Sequence, residues 1–152
     1  MRIKNIMAKK VIFVLPDTNI SETAKLMEKH RIHGIPVVDK KQVVGIITET
    51  DFFVRDSYNF HLPSYINFVK DSEANNYIKD DSKKKIKIEK FLNIKAKDIM
   101  AKKCVTVDAD MEIKKLLQII KKTKLQIFPV VNKNKILVGI VALPDIIKLL
   151  KI

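Results

Sequence analysis

Lys4-Asn5-Ile6-Met7-Ala8-Lys9-Lys10 returns as Lys97-Asp98-Ile99-Met100-Ala101-Lys102-Lys103, with six of seven positions identical at an offset of 93 residues. At the same offset Val14, Asp17 and Ile20 fall on Val107, Asp110 and Ile113, and Pro36-Val37-Val38 falls on Pro129-Val130-Val131. One inserted residue then moves the offset to 94, which sets Val44-Gly45-Ile46 on Val138-Gly139-Ile140 and Asp51 on Asp145. Ordered matches of this length identify an internal duplication, and self-similarity at a fixed offset constrains the fold before any single element does. The repeats run roughly over 4–55 and 97–150.

Each repeat predicts the same elements. A short apolar strand comes first, Val11 to Leu15 and Val105 to Val107. Asp17 and Asp110 follow in turns, where an acid favours a helix start. Ile20, Ala24, Met27 and Ile32 then recur near helical spacing, as do Ile113, Leu116, Leu117 and Ile120. Ile35-Pro36-Val37-Val38 and Phe128-Pro129-Val130-Val131 read as strands, with the proline implying a strand start or edge. Polar turns lead to third strands, Val43 to Ile47 and Ile136 to Val141, which close antiparallel hairpins. A last helix begins near Glu49 or Pro144. The class is α/β (α+β), with β-α-β-β-α written twice. A repeat of about fifty residues buries little surface alone. Packing the two sheet to sheet about a pseudo-twofold axis hides both apolar faces and leaves two equivalent clefts.

The rest of the chain limits what those clefts serve. Of 152 residues 47% are apolar, enough for a core. No apolar run is long enough to span a membrane, and the N-terminus lacks the apolar stretch of a signal peptide. Cys104 is the only cysteine, which leaves no internal disulfide and no cysteine metal cluster and fits a reducing cytoplasm. The net charge of +13 divides as +4 over residues 1–55, +2 over 56–95 and +7 over 96–152. Attraction to polyanions is one meaning of that excess. Solvated helix faces are the other, since the lysines are spread out with no aromatic interleaving. No nucleophile–base pair and no metal set stands out, and three glycines leave no glycine-rich phosphate loop.

Ile35-Pro36-Val37-Val38-Asp39 followed by Gly45-Ile46-Ile47-Thr48-Glu49-Thr50-Asp51 resembles a cystathionine β-synthase (CBS) domain, and the tandem resembles a Bateman module. The resemblance covers both repeats, leaving residues 1–55 as the first CBS repeat, 56–95 as an inserted linker and 96–152 as the second repeat. It implies a non-catalytic regulatory module that senses AMP, ADP, ATP or S-adenosylmethionine, energy sensing included, as a homodimer read by a separate effector protein. It implies no cofactor beyond that ligand. A nucleic-acid binder and a purely structural dimerisation module are the alternatives.

Carried over by position, one cleft combines Ile46, Thr48 and Asp51 with Met100, Val105, Leu125 and Gln126. The other combines Ile140, Ala142 and Asp145 with Met7, Ile12, Ile32 and His33. A carboxylate such as Asp51 accepts hydrogen bonds from both hydroxyls of a ribose, and charge-assisted bonds are the strong ones. Thr48 offers a hydroxyl to a phosphate. Thr48 and Asp51 equally fit a capping box that needs no ligand. Ala142 removes the threonine from the second cleft while Asp145 stays, which favours a ribose role for the acid and weakens phosphate binding there. His33 faces phosphates in some relatives and is otherwise a structural histidine beside a core strand. His30 and His33 lack an acid or cysteine to complete a metal set. Cys104 reads as a buried apolar residue. In the linker, the aromatics from Tyr58 to Val69 suggest a lid, a partner contact or a cover for this chain's own core. Asp71 to Lys85 is polar and charged, and Ile86 to Ile94 is a possible short helix.

Overall fold

The computed structural model describes residues 1–52 and 93–149, so the features expected of 56–92 lie outside the described residues. A 3₁₀ turn at Ile3–Asn5 precedes α1 (Ile20–His30), β1 (Gly34–Asp39), β2 (Gln42–Thr48) and a 3₁₀ turn at Glu49–Phe52. The second repeat follows with α2 (Ala96–Ile99), β3 (Val107–Asp108), α3 (Ile113–Thr123), β4 (Ile127–Val131), β5 (Leu137–Ala142) and α4 (Leu143–Lys148). In α1 the buried residues Ile20, Thr23 and Met27 share one stripe. α1 and α3 end at the equivalent residues Arg31 and Lys124, both left-handed at φ 51° and 61°. A cation there suits the negative end of the helix dipole.

β1 and β2 pair antiparallel, as do β4 and β5, and each hairpin carries a bulge at the same place, Val37/Val38 and Val130/Val131. Two expectations fail together here. The first strand of repeat one is a single parallel bridge, Val14 to Val37, and its counterpart β3 is only two residues long. Pro36 lies inside β1, and Pro129 inside β4, the middle strand of the β3-β4-β5 sheet. The physical reason is one and the same. Val14 donates to the Pro36 carbonyl at 3.0 Å and accepts from the Val38 N–H at 2.9 Å. Pro36 turns its missing donor towards this entering segment, so the parallel ladder stops beside it.

Asp17 and Asp110 do not start helices. The N-caps are Asn19 and Glu112, neither with a side-chain cap bond. Leu117 faces out of α3 at 45% exposure, leaving Leu116 as the buried residue of that stripe.

The repeats exchange their leading segments. Ile3 and Lys4 donate to the carbonyls of Met111 and Ala109, and Ala8 and Ile140 bond each other both ways, at 2.9 and 3.0 Å. In mirror fashion Ala96 and Lys97 donate to Thr18 and Pro16, and Ala101 and Ile46 bond each other at 2.9 and 3.3 Å. Ile3 therefore belongs to the core of the second repeat with Val107, Leu116 and Phe128. Ala96 belongs to the core of the first with Val14, Met27 and Ile35. Gly45 and Gly139 let the crossing segments approach. A Cβ on Gly45 would lie 2.5 Å from Met100 Sδ, and one on Gly139 2.5 Å from Met7 Sδ. The sheets meet near the pseudo-twofold axis through a bridge between the equivalent residues Gln42 and Ile136.

Candidate functional site

A cavity of about 470 Å³ opens where the end of β2 meets the segment between α2 and β3 and the turn after α3. Ligand pockets begin at a few hundred Å³, so the space admits a small molecule. Ile46, Thr48 and Asp51 line it from the first repeat, and Val105, Leu125 and Gln126 from the second. These are six of the seven residues expected in the first cleft. Met100 does not line it. Its side chain packs on the core of the first repeat beneath Gly45, and its neighbour Ala101, held to Ile46, forms the wall. Residues not singled out from the sequence complete the lining, among them Glu49, Thr50, Lys103 and Lys124. Glu49 and Thr50 lie inside the quoted motif. Lys124 enters because the left-handed cap of α3 turns the chain back over the cleft.

The Asp51 carboxylate is half-buried. Its Oδ2 accepts from the Thr48 N–H at 2.8 Å and lies 3.2 Å from the Thr48 hydroxyl. That hydroxyl is also 3.0 Å from the Thr50 hydroxyl. A carboxylate has about four acceptor positions, and Oδ1 keeps both of its own among the described contacts. The same cap bond recurs in the second repeat, where the Ala142 N–H donates to Asp145 Oδ2 at 2.9 Å. This corrects an inference from sequence. Asp145 caps the backbone of α4 without any N-cap side chain, so its persistence beside Ala142 carries no information about ribose. The motif appears twice more, from Arg2 N–H to Asn5 and from Lys95 N–H to Asp98.

The leading segment crosses the second cleft as its counterpart crosses the first. Ile140 is bonded to Ala8, and Met7 packs on the core of the second repeat. Ile12 and Ile32 pack on the core of the first. His33 lines the cavity of the first cleft, with Nδ1 2.7 Å from Glu49 Oε1. His33 and Gln126 are equivalent positions, so both lie near the axis and one cleft reaches the two of them. His30 is exposed at the end of α1. Cys104 is not a core residue. It lines the cavity half-buried, and burial pushes its thiol up to about 11. No cluster of His, Cys, Asp and Glu fit for a metal exists among the described residues, and no helix among them is long and apolar enough to cross a membrane.

Known proteins share this arrangement. A family model of the CBS domain matches residues 3–56 and again 96–152. Protein MJ1426 of Methanocaldococcus jannaschii is 32% identical over 163 residues, covering 99% of this chain and 91% of that protein. The CBS domain pair of protein MJ0100, solved in complex with 5′-methylthioadenosine and S-adenosyl-L-methionine, superposes with a TM-score of 0.69 at 23% identity, over 99% of this chain and 95% of that one. CBSX2 in complex with AMP superposes with a TM-score of 0.69 at 17% identity, over 98% and 95%. At these identities the two solved structures speak for the fold. Two matched repeats, joined by reciprocal exchange around one axis, establish that this chain belongs to the CBS-domain family as a tandem pair.

Proposed function

We propose that the chain is a regulatory module, not an enzyme, that holds an adenosine-containing ligand, AMP, ADP, ATP or S-adenosylmethionine, in the cavity beside Asp51. One observation carries this function: the cavity gathers a carboxylate whose Oδ1 is uncommitted among the described residues and the apolar side chains of Ile46, Val105 and Leu125 from opposite repeats. The ribose hydroxyls donate to Asp51 Oδ1, and the adenine lies between the apolar groups. The Thr48 hydroxyl is engaged with Asp51 and with the Thr50 hydroxyl, so Lys103 and Lys124 are better placed for a phosphate or for a charged tail. The complexes of MJ0100 and CBSX2 support the ligand class. A thiol raised to about 11 is a poor nucleophile at neutral pH, which counts against a cysteine-based reaction at Cys104. A homodimer of such modules, read by a separate effector, completes the proposal. Ligand binding changes its arrangement only as far as the ligand prefers one form.

Isothermal titration of the four ligands against wild type, Asp51→Ala and Asp145→Ala tests this. At least one ligand binds wild type, and Asp51→Ala weakens it about tenfold to a hundredfold, the worth of hydrogen bonds to a charged group. Asp145→Ala leaves that event in place. Absence of heat and of thermal stabilisation with all four ends the ligand assignment.

A further inference from the structure

The two repeats supply an internal control for surface charge. Between residues 113 and 144 the chain has seven lysines and no acid, whereas the equivalent span 20–50 contains Glu22, Glu28, Asp39 and Glu49. The contrast is sharpest on the helices. The exposed face of α3 presents Lys114, Lys115, Lys121 and Lys122, and the matching positions of α1 are Ser21, Glu22, Glu28 and Lys29. The fold therefore does not ask for lysine there. It asks for the opposite at one end. The first turn of α3 contains Lys114 and Lys115 and no acid, at the positive end of the helix dipole, where the first turn of α1 has Glu22. None of the four lysines has an ion-pair partner among the described residues. The N-cap Glu112 is the one acid at that end, and it leaves the lysines of the exposed face in excess of what the helix requires.

We propose that this face of α3 docks on the phosphate backbone of duplex nucleic acid. The two lysine pairs are seven residues apart, two helical turns or about 10 Å along one face, and present point charges with nothing between them to repel phosphate. Other polyanionic surfaces fit less well. Lipid headgroups need an apolar stripe to insert, but Leu116, Ile119 and Ile120 are packed in the core and Leu117 is the single exposed apolar side chain of this helix. Protein interfaces favour aromatics and arginine over lysine, and this face has neither. Single strands want stacking aromatics. Backbone contacts by lysine bind duplex without reading sequence.

The test is fluorescence anisotropy with a short mixed-sequence DNA duplex and the full chain. Wild type binds at low salt, two unrelated sequences bind alike, and affinity falls about 100-fold between 50 and 200 mM salt, as four phosphate contacts require. The twin-sequence variant Lys114→Ser/Lys115→Glu/Lys121→Glu abolishes binding while keeping a cooperative thermal transition, because the helix-dipole changes in its first and last turns oppose each other. Lys121→Gln/Lys122→Gln, at the other end of the helix, weakens binding at least tenfold. Lack of wild-type binding at 50 mM salt overturns the proposal. So does a twin-sequence variant that binds like wild type, or binding only to phosphatidylserine vesicles.

Discussion

Lys97 Nζ lies 2.8 Å from Asp17 Oδ1, and its counterpart Lys4 Nζ lies 2.7 Å from Asp110 Oδ1. Each pair ties the leading segment of one repeat to the body of the other, so the duplication is visible even in its ion pairs. The Lys97 hydrogen bond, followed by its charge, holds the Asp17 carboxyl below its usual range, and the reciprocal bond holds Lys97 above its own. Lys4, with help from Arg2, does the same to Asp110.

The pH dependence follows with opposite signs at the two ends. Depressed carboxyls give stability that is present above about pH 3.8 and lost as pH falls through their folded values. The raised Lys97 gives stability that is complete below about pH 10.5 and lost as pH rises through its folded value. Denaturant titrations of wild type and Asp17→Asn/Asp110→Asn should differ by a small, constant amount at neutral pH and converge in acid. The pairs are exposed, so molar salt shrinks the gap. A gap that widens below pH 3.8 contradicts the assignment.

Gly45→Ala and Gly139→Ala test the exchange itself. Each new Cβ meets a methionine sulfur and sits 3.1 Å from the carbonyl oxygen of Ala101 or Ala8. Overpacking of this kind is destabilising by about 1–3 kcal/mol. Met100→Ala relieves most of the clash at Gly45, so the double variant is less destabilised than the sum of its parts. Strict additivity in urea unfolding, or no loss at either glycine, removes Met100 and Met7 from under the β-hairpins.

Much of this was legible in sequence for a physical reason. Helix and strand periods are local, and duplication repeats them, so α1, α3 and both hairpins follow from Ile20, Met27, Pro36 and Gly45 alone. What failed is non-local. Nothing in Lys97-Asp98-Ile99-Met100 says which repeat it joins, and the exchange decides that Ala101, not Met100, walls the cavity. His33 lines the first cavity beside Gln126 because residues at a pseudo-twofold axis are within reach of both clefts, which one repeat's sequence does not show. Proline signals an edge, which holds for Pro36 in the two-stranded sheet but not for Pro129, whose missing donor faces the short β3 instead. The cap bonds of Asp51 and Asp145 are alike, so comparing the repeats could not isolate the one proposed for ribose.

Cys104 reports on the cavity from within. With its thiol pushed up to about 11, the thiolate is about 300-fold scarcer at neutral pH than for a free cysteine near 8.5. A high-pKa thiolate is the better nucleophile, which offsets part of this, so reaction with a disulfide reagent should be at least tenfold slower than for unfolded chain, and slower again with the ligand bound. Labelling at the rate of the unfolded chain contradicts the burial of Cys104. Labelling unaffected by a saturating ligand contradicts occupancy of this cavity.

Diffraction from crystals grown with saturating AMP addresses the central claim most directly. The account predicts ribose hydroxyls within hydrogen-bond distance of Asp51 Oδ1, with the adenine between Ile46, Val105 and Leu125. Density for AMP elsewhere, or an Asp51 carboxylate that meets only Thr48 and solvent, contradicts it.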